Sequence, residues 1–332
     1  MGIDVAPYEP SDEQAAMQAW AITRDADLHE VPDTPPEPAE AFLARFRQPV
    51  PAYLYERALG LVDGVPAGHV EIELPILDNL ENAIVRLSVT PALRRRGVGR
   101  ALHDWAAERA RAAGRKRLTA QTVDRTPDGP AFAAMLGAKA ALHDTRSRLD
   151  VTSVDHDKFA AMLAEAWKHA DGYRLVTWYG VPPEEYIDDV AELDSMFIDE
   201  APSGELEMEP EKVDADRVRT SEQNRLDRGL DRIHAGMVHE VTDRMVAWTT
   251  LSGPKIVPHH IWQHITLVHP GHRGHRLGLI VKLENLKHAL RYRPALAAID
   301  TWNATSNEHM LAINRAMGFR AVDHWVDWQE TI

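Results

Sequence analysis

A chain of 332 residues with a formal net charge of −14, 44% hydrophobic and 27% charged residues and no cysteine has the make-up of an ordinary globular protein, long enough for two domains. The lack of cysteine excludes disulfides, a thiol nucleophile and cysteine-based zinc sites. The acidic balance argues against nucleic-acid binding, which needs basic surface. No apolar run approaches a membrane span, and Met1-Gly2-Ile3-Asp4-Val5 lacks the basic, apolar start of a secretory signal, so a cytoplasmic protein without membrane contact is expected.

In chain order, an extended stretch from Ile3 to Tyr8 precedes a helix with apolar Ala15, Ala16, Ala19 and Trp20. The Pro-rich, acidic run Val31 to Pro38 cannot be regular structure. A short helix from Ala41 to Arg47 is followed by strands at Ala52–Leu61 and Pro66–Leu74, with Asp63-Gly64 marking the hairpin between them. A strand at Ala83–Val89 leads through a basic loop into a helix apolar at Ala101, Leu102, Trp105 and Ala106, which Gly114 ends. A strand at Leu118–Val123, a helix at Pro130–Leu136 and a closing strand at Ala140–Val151 complete the first half.

After a helix from Asp155 to His169 the same order begins again. A strand at Tyr173–Tyr179 and a helix opened by Pro182-Pro183 come first. The acidic stretch Asp194 to Glu211 reads as an irregular connection, and a helix at Asp214–Gly229 precedes strands at His234–Glu240 and Met245–Leu251. A strand at Ile261–Val268 feeds a second loop and a helix at Gly278–Leu290. A strand at Ala297–Trp302, a helix at Ser306–Met317 and a closing strand at Phe319–Trp328 follow.

The repeat is sharpest in the loops. Val89-Thr90-Pro91-Ala92-Leu93-Arg94-Arg95-Arg96-Gly97-Val98-Gly99-Arg100 and Val268-His269-Pro270-Gly271-His272-Arg273-Gly274-His275-Arg276-Leu277-Gly278-Leu279 share one frame, 179 residues apart, and Gly137-Ala138 with Gly318-Phe319 extend the repeat towards both domain ends. A Gly- and Arg-rich loop between a strand and a helix N-terminus suits a diphosphate. Glycine lets backbone approach closely, consecutive N–H groups point into one concavity, the helix dipole adds positive potential and flanking guanidiniums neutralise charge.

Arg94-x-x-Gly97-x-Gly99 resembles the acyl-CoA pyrophosphate loop of the GNAT N-acetyltransferases, and the element order of both halves is similar to that fold. The resemblance covers the whole chain and implies an α/β (α+β) architecture of two tandem domains, similar to the arrangement of mycothiol synthase. Each would be a mixed, mostly antiparallel sheet flanked by helices. The expected division is residues 1–154, a linker helix at 155–172, and residues 173–332. The implied cofactor is acetyl-CoA and the implied activity is acetyl transfer to an amine of a small molecule, by direct attack of the amine on the thioester. A non-catalytic acyl-CoA sensor and a transferase of another acyl group are the alternatives.

By the same resemblance, Leu87, Ser88 and Val89 would pair with the pantetheine arm, and Arg95, Arg96, Gly97, Val98, Gly99 and Arg100, beside Arg94, would hold the pyrophosphate. The matching positions are Thr266, Leu267 and Val268, then Arg273, Gly274, His275, Arg276, Leu277, Gly278 and Leu279. Arg276 stands where the first glycine belongs; a Cβ is tolerated there only at negative φ, so either a differently bent loop or weaker CoA binding is expected. Asn303 and Asn307 occupy positions where the family places polar contacts to the cofactor. The tyrosine acid of the family would fall at Ala133 and Asn314, so neither half has it, though Asn314 could orient a water or the sulfur.

Base candidates are Glu71, Glu73 and Glu81 in the first half and His264 in the second, where an imidazole titrating near neutrality would take an ammonium proton. The histidine run His259, His260, His264, His269, His272 and His275 includes an i, i+4 pair. Ile261, Trp262, Ile265, Thr266 and Val268 mark a strand there, so no metal site is expected. Arg115-Lys116-Arg117 reads as a surface cluster at a helix end, and Trp262, Trp302, Trp325 and Trp328 as core or pocket wall. Carboxylates in Asp194–Glu211 would attract a cationic amine.

Overall fold

The protein is described by a computed structural model covering residues 2–332, the side chains of residues 198 and 199 excepted; Met1, the first residue of the N-terminal stretch read above, lies outside the described residues. The chain divides into two compact units. One comprises Met1–Asp144, Ser203–Glu209 and Asp323–Ile332, and the other Thr145–Pro202 and Pro210–Val322.

The first unit runs β1 (Ile3–Pro7), α1 (Glu13–Glu30), α2 (Ala39–Arg47), β2 (Tyr53–Val62), β3 (Val65–Pro75), β4 (Asn82–Val89), α3 (Val98–Ala112), β5 (Arg117–Val123), α4 (Asp128–Leu136) and the start of β6 (Lys139–Asp150). Helix α1 starts where the Asp12 carboxylate accepts from Ala15 N–H and buries Ala15, Ala16, Ala19, Ile22 and Ala26. Strands β1 to β4 are antiparallel neighbours, while β5 lies parallel to β4. Helix α3 sits close on this sheet because Gly60 and Gly68 face it. A Cβ on Gly60 would lie 2.7 Å from Val98, and one on Gly68 2.8 Å from Leu102.

The second unit contains the end of β6, then α5 (His156–Trp167), β7 (Tyr173–Tyr179), α6 (Ile187–Ser195), α7 (Phe197–Glu200), α8 (Ala215–Asp227), β8 (Leu230–His239), β9 (Arg244–Pro254), β10 (His260–Val268), α9 (Leu277–Tyr292), β11 (Ala298–Ala304), α10 (Glu308–Met317) and the start of β12 (Arg320–Thr331). Strands β7 to β10 are antiparallel neighbours, and β11 is parallel to β10. The α9 side of this sheet buries Ile233, Ala235, Met237, Leu251 and Ile261 against Ile280, Val281 and Leu283. The opposite side buries Trp178, Trp248 and Leu267 against Val190, Leu193 and Val218 of α6 and α8. Strand β8 starts four residues before its expected position because Asp231 and Arg232, charged but buried, are paired with Arg293 and Glu222; their polarity masks the strand.

The division differs from the expected boundaries in its closing strands. The sequence assigns residues 140–151 to the first half and 319–328 to the second. In the structure Asp323–Ile332 joins the first unit, where β12 pairs antiparallel with β5 from Trp325↔Val123 to Thr331↔Arg117. Trp328 Nε1 donates to Thr122 Oγ1 at 2.8 Å, and Glu330 meets His103 of α3 at 2.7 Å. Conversely Thr145–Asp150 belongs to the second unit, with β6 beside β11. Closing strands of two similar repeats carry equivalent patterns, so local sequence does not say which sheet each completes.

The acidic connection also divides. Ser203–Glu209 is a strap on the first unit: Glu205 N–H donates to Ala141 O at 2.7 Å, Glu207 N–H to Gln329 Oε1 at 3.0 Å and Glu209 N–H to Asn79 Oδ1 at 2.7 Å. Gly204 is required there, since a Cβ would stand 2.2 Å from Ala141 O. Among the described residues no helix is long and apolar enough to cross a membrane.

Candidate acyl-CoA site

In the first unit β4 pairs with β5 only from Asn82↔Arg117 to Ile84↔Thr119. Past Ile84 the two strands have no paired register, leaving Leu87, Ser88 and Val89 without β5 partners at an opening in the sheet. The chain then makes a short 3-10 turn at Pro91–Leu93 and passes through left-handed Arg95 (φ 63°) and Gly97 (φ 91°) into α3. Those two left-handed residues turn the peptide planes of the loop. As a result the six consecutive N–H groups from Arg95 to Arg100 have no acceptor among the described residues. They border a cleft of about 330 Å³ lined by Leu87–Val89, Leu93–Arg95 and Gly97–Arg100, together with Glu30, Asp128, Gly129, Phe132 and Met135.

The guanidiniums divide by role. Arg94 is a brace: it donates to Glu30 at 2.6 Å, to Asp128 at 3.0 Å and to Val89 O at 3.2 Å, tying the loop to the ends of α1 and α4. Arg95, Arg96 and Arg100 are exposed and make no ion pair among the described residues. Free N–H groups at a helix N-terminus, three unpaired guanidiniums and a partly apolar channel beside an open strand edge fit the diphosphate and arm of an acyl-CoA. Glu30, Asp128 and Phe132 escaped the sequence reading, because each is distant in the chain from the loop and carries no local signature.

The second unit repeats this construction with changes. Strand β10 pairs with β11 from His260↔Ala298 to Trp262↔Asp300, and a bulge interrupts its pairing with β9 between Gln263 and Thr266. Arg276 does not take the expected negative φ. It is left-handed at 56°, a conformation that costs a residue with a Cβ roughly 1–2 kcal/mol, and the loop keeps the same bend. Here Leu279 N–H turns inward to Arg276 O at 3.1 Å, so the run of N–H groups without acceptors is five, from Gly274 to Gly278. The loop side chains are also engaged. Arg273 pairs with Glu200, His275 Nδ1 meets His169 O at 3.0 Å, and His272 Nδ1 meets the Tyr173 hydroxyl at 2.9 Å.

Asn303 and Asn307 each use the side-chain oxygen within the second unit. Asn307 Oδ1 accepts from Met310 N–H at 3.1 Å as the cap of α10, and Asn303 Oδ1 accepts from Asn314 Nδ2 at 2.7 Å. Asn314 is buried with its own Oδ1 lacking a partner among the described residues. Ala133, at the matching place in the first unit, is a buried apolar residue.

The base candidates are corrected in part. Glu71 is buried against Arg57 at 2.6 Å; the charges of Arg45 and Arg57 outweigh burial and hold its carboxyl below the usual range. Glu73 accepts from Arg86 at 2.7 Å, and Glu81 holds Lys116 and Arg117, so Arg115-Lys116-Arg117 closes the Glu81 turn rather than merely decorating a helix end. His264 is exposed on β10, within the field of Arg225, Arg232 and Glu222. Desolvation there, reinforced by the positive charges of Arg232 and Arg225, pushes its imidazole down to about 3 rather than leaving it near neutrality. It is neutral at pH 7, but its conjugate acid is too strong for it to hold an ammonium proton effectively. Among the described residues no three His, Asp or Glu side chains are placed to hold a metal ion. Trp325 Nε1 donates to Asp323 at 2.7 Å, and Trp328, bonded to Thr122, is part of the wall of the first unit.

Comparison with known proteins bears on this geometry. The acetyltransferase (GNAT) family profile matches residues 18–137. A tandem GNAT protein from the clavulanic acid biosynthesis pathway, solved without AcCoA, is 30% identical with a TM-score of 0.83, covering 99% of this chain and 98% of its own. A GCN5-related N-acetyltransferase from Sphaerobacter thermophilus shares the fold at 14% identity and a TM-score of 0.66, covering 99% and 95%. A putative acetyltransferase from Pyrococcus horikoshii does so at 14% and 0.59, covering 100% and 90%. A search of curated proteins finds no match. With the strand opening, the free N–H run and the repeated loop in both units, these likenesses establish that the chain belongs to the GNAT acetyltransferase family, as a tandem member whose fold is that of acyl transfer from acyl-CoA.

Proposed function

We propose that the protein is an N-acetyltransferase that binds acetyl-CoA in its first unit and transfers the acetyl group to an amine of a small molecule. The observation that carries this reading is the run of six acceptor-less N–H groups from Arg95 to Arg100, beneath the opening between β4 and β5. The matching run in the second unit is shorter and its side chains are occupied, which favours the first unit as the tighter site.

In the reaction the amine nitrogen, having lost a proton to solvent or a neighbouring base, forms a bond to the thioester carbonyl carbon. The C–S bond breaks, and the CoA thiolate takes a proton. The chain contributes mainly position: Leu87–Val89 present their free backbone edge to the pantetheine arm, and the loop anchors the diphosphate. With Ala133 and Asn314 at the tyrosine positions, the thiolate takes its proton from water, which lowers the rate but not the binding.

Release of free thiol from acetyl-CoA, followed with a panel of small amines, tests the reading. Turnover with at least one amine, abolished by Gly99→Leu, is the expected result. Acetyl-CoA binding without thiol release for any amine would favour the alternative of a non-catalytic acyl-CoA sensor, to which the two missing tyrosines point. A longer acyl-CoA recovered from purified protein would replace acetyl as the group transferred.

A further inference from the structure

A cleft of about 380 Å³ in the second unit shares no residue with the acyl-CoA cleft. All its lining residues belong to the second unit, where the end of β6, the first turn of α5, the end of α10 and the start of β12 meet. Small-molecule sites typically measure about 300–1,000 Å³ and are mostly apolar with a few placed polar groups. The floor here is apolar. Leu149 and Met317 are buried, Phe159 packs against the same core, and Val322 completes the wall. Gly318 ends α10 in the left-handed conformation (φ 97°), and a Cβ on it would stand 3.6 Å from Leu149 Cδ1. Both residues line the cleft, so the missing side chain keeps that wall open.

The rim is charged, with both signs. Asp150 and Asp155 are held in place by capping: Asp150 Oδ1 accepts from Thr152 N–H at 2.9 Å and from its hydroxyl at 2.6 Å, and Asp155 Oδ1 accepts from Lys158 N–H at 2.9 Å. Both carboxylates are exposed. Lys158 and Arg320 are exposed too, and their charged ends make no hydrogen bond or ion pair among the described residues. Arg148 is different, since it donates to Asp300 Oδ1 and Oδ2, each at 2.6 Å, and its charge is matched there. Two cations and two carboxylates therefore face the cleft, and the rim has no net charge. A ligand of one sign meets repulsion as well as attraction on such a rim. A ligand with both charges and an apolar body finds a complement for every part.

We propose that this cleft binds a free α-amino acid with a large apolar side chain. The side chain lies on the floor of Leu149, Phe159 and Met317, the carboxylate faces Lys158 and Arg320, and the ammonium faces Asp150 and Asp155. This goes beyond the acetyltransferase reading and does not depend on it, because the acyl-CoA cleft of that reading lies in the first unit.

Calorimetric titration of the full chain, free of CoA and at constant ionic strength, with L-phenylalanine, 3-phenylpropionate and phenethylamine tests this directly, because the three share one apolar body and differ in charge. The expected result is saturable binding of L-phenylalanine, with the two single-charge analogues weaker by at least about fivefold. Arg320→Gln is expected to weaken L-phenylalanine by about three- to tenfold and to leave phenethylamine unchanged. Asp155→Asn is expected to weaken L-phenylalanine by a similar factor without weakening 3-phenylpropionate. Both variants retain the fold, since the Arg320 side chain bonds to nothing within it and asparagine caps a helix as aspartate does. No binding of L-phenylalanine, equal binding of either analogue, or an L-phenylalanine affinity unchanged in either variant would overturn the proposal. Binding lost in Gly99→Leu but kept in Arg320→Gln would place the amino acid in the acyl-CoA cleft and overturn it equally.

Discussion

The two phosphate loops share a bend but not a state. Gly97 turns left-handed with no Cβ to strain, whereas Arg276 makes the same turn against its own side chain. Around Gly97 the loop is held from behind by Arg94 and its front is open. Around Arg276 the side chains of Arg273, His272 and His275 are already bonded and one N–H is turned inward. On the proposed function the second loop offers a diphosphate less although its backbone trace is the same, because a diphosphate is held by unsatisfied donors and cations rather than by the curve of the chain.

The largest effect with which to break this comparison is removal of Asp323–Ile332. Those residues supply the β5 partner of the first unit, so the deletion is expected to abolish acetyl-CoA binding and to bring amide exchange in β4, β5 and α3 towards unfolded rates. Strands β8 and β9 stay protected. Uniform loss of protection in both units, or none in either, would contradict the assignment of that strand.

Gly97→Arg, which gives the first loop the residue of the second, follows. Positive φ and a Cβ 3.0 Å from Ile3 predict a destabilisation of about 1–2 kcal/mol, read by chemical denaturation, and at least tenfold weaker acetyl-CoA binding.

Lys282 is peculiar to the second unit. It is buried on α9, near the Phe319 ring at 5.4 Å, and burial pushes its ammonium down to about 7. In the unfolded chain it titrates near 10.5, so between pH 7 and about 10 the unfolded state holds the extra proton and stability of this unit rises with pH. Lys282→Met is expected to flatten that rise and to add about 1–3 kcal/mol at pH 7. Melting curves of the second unit across that pH range decide it. The smallest effect is that of Arg276→Gly, where relief of strain is offset by the added freedom of glycine in the unfolded chain. Stability changes by under about 1 kcal/mol, while acetyl-CoA affinity of the second loop increases.

Much of this was legible in the sequence. The hairpin at Asp63-Gly64, the amphipathic helices and both loops follow from local chemistry, and the left-handed Asp63 and Gly64 are what that turn requires. The exchange of β6 and β12 was not, because strand register between equivalent repeats is a non-local choice. Nor was the commitment of Glu73 to Arg86, of Asn307 to its own helix cap, or of Glu222 to two arginines. In each case the residue type permits the functional role, and only its three-dimensional neighbours show which of its atoms already bond within the fold.

The central claim, that the first loop is the working acyl-CoA site, is tested most directly by calorimetry of acetyl-CoA with the unaltered chain, Gly99→Leu and Gly278→Leu. A Cβ on Gly99 already lies 3.4 Å from the Phe132 ring, so leucine there fills the cleft. The account predicts that Gly99→Leu removes the tighter binding event and Gly278→Leu leaves it unchanged. Loss of that event in Gly278→Leu alone would contradict it.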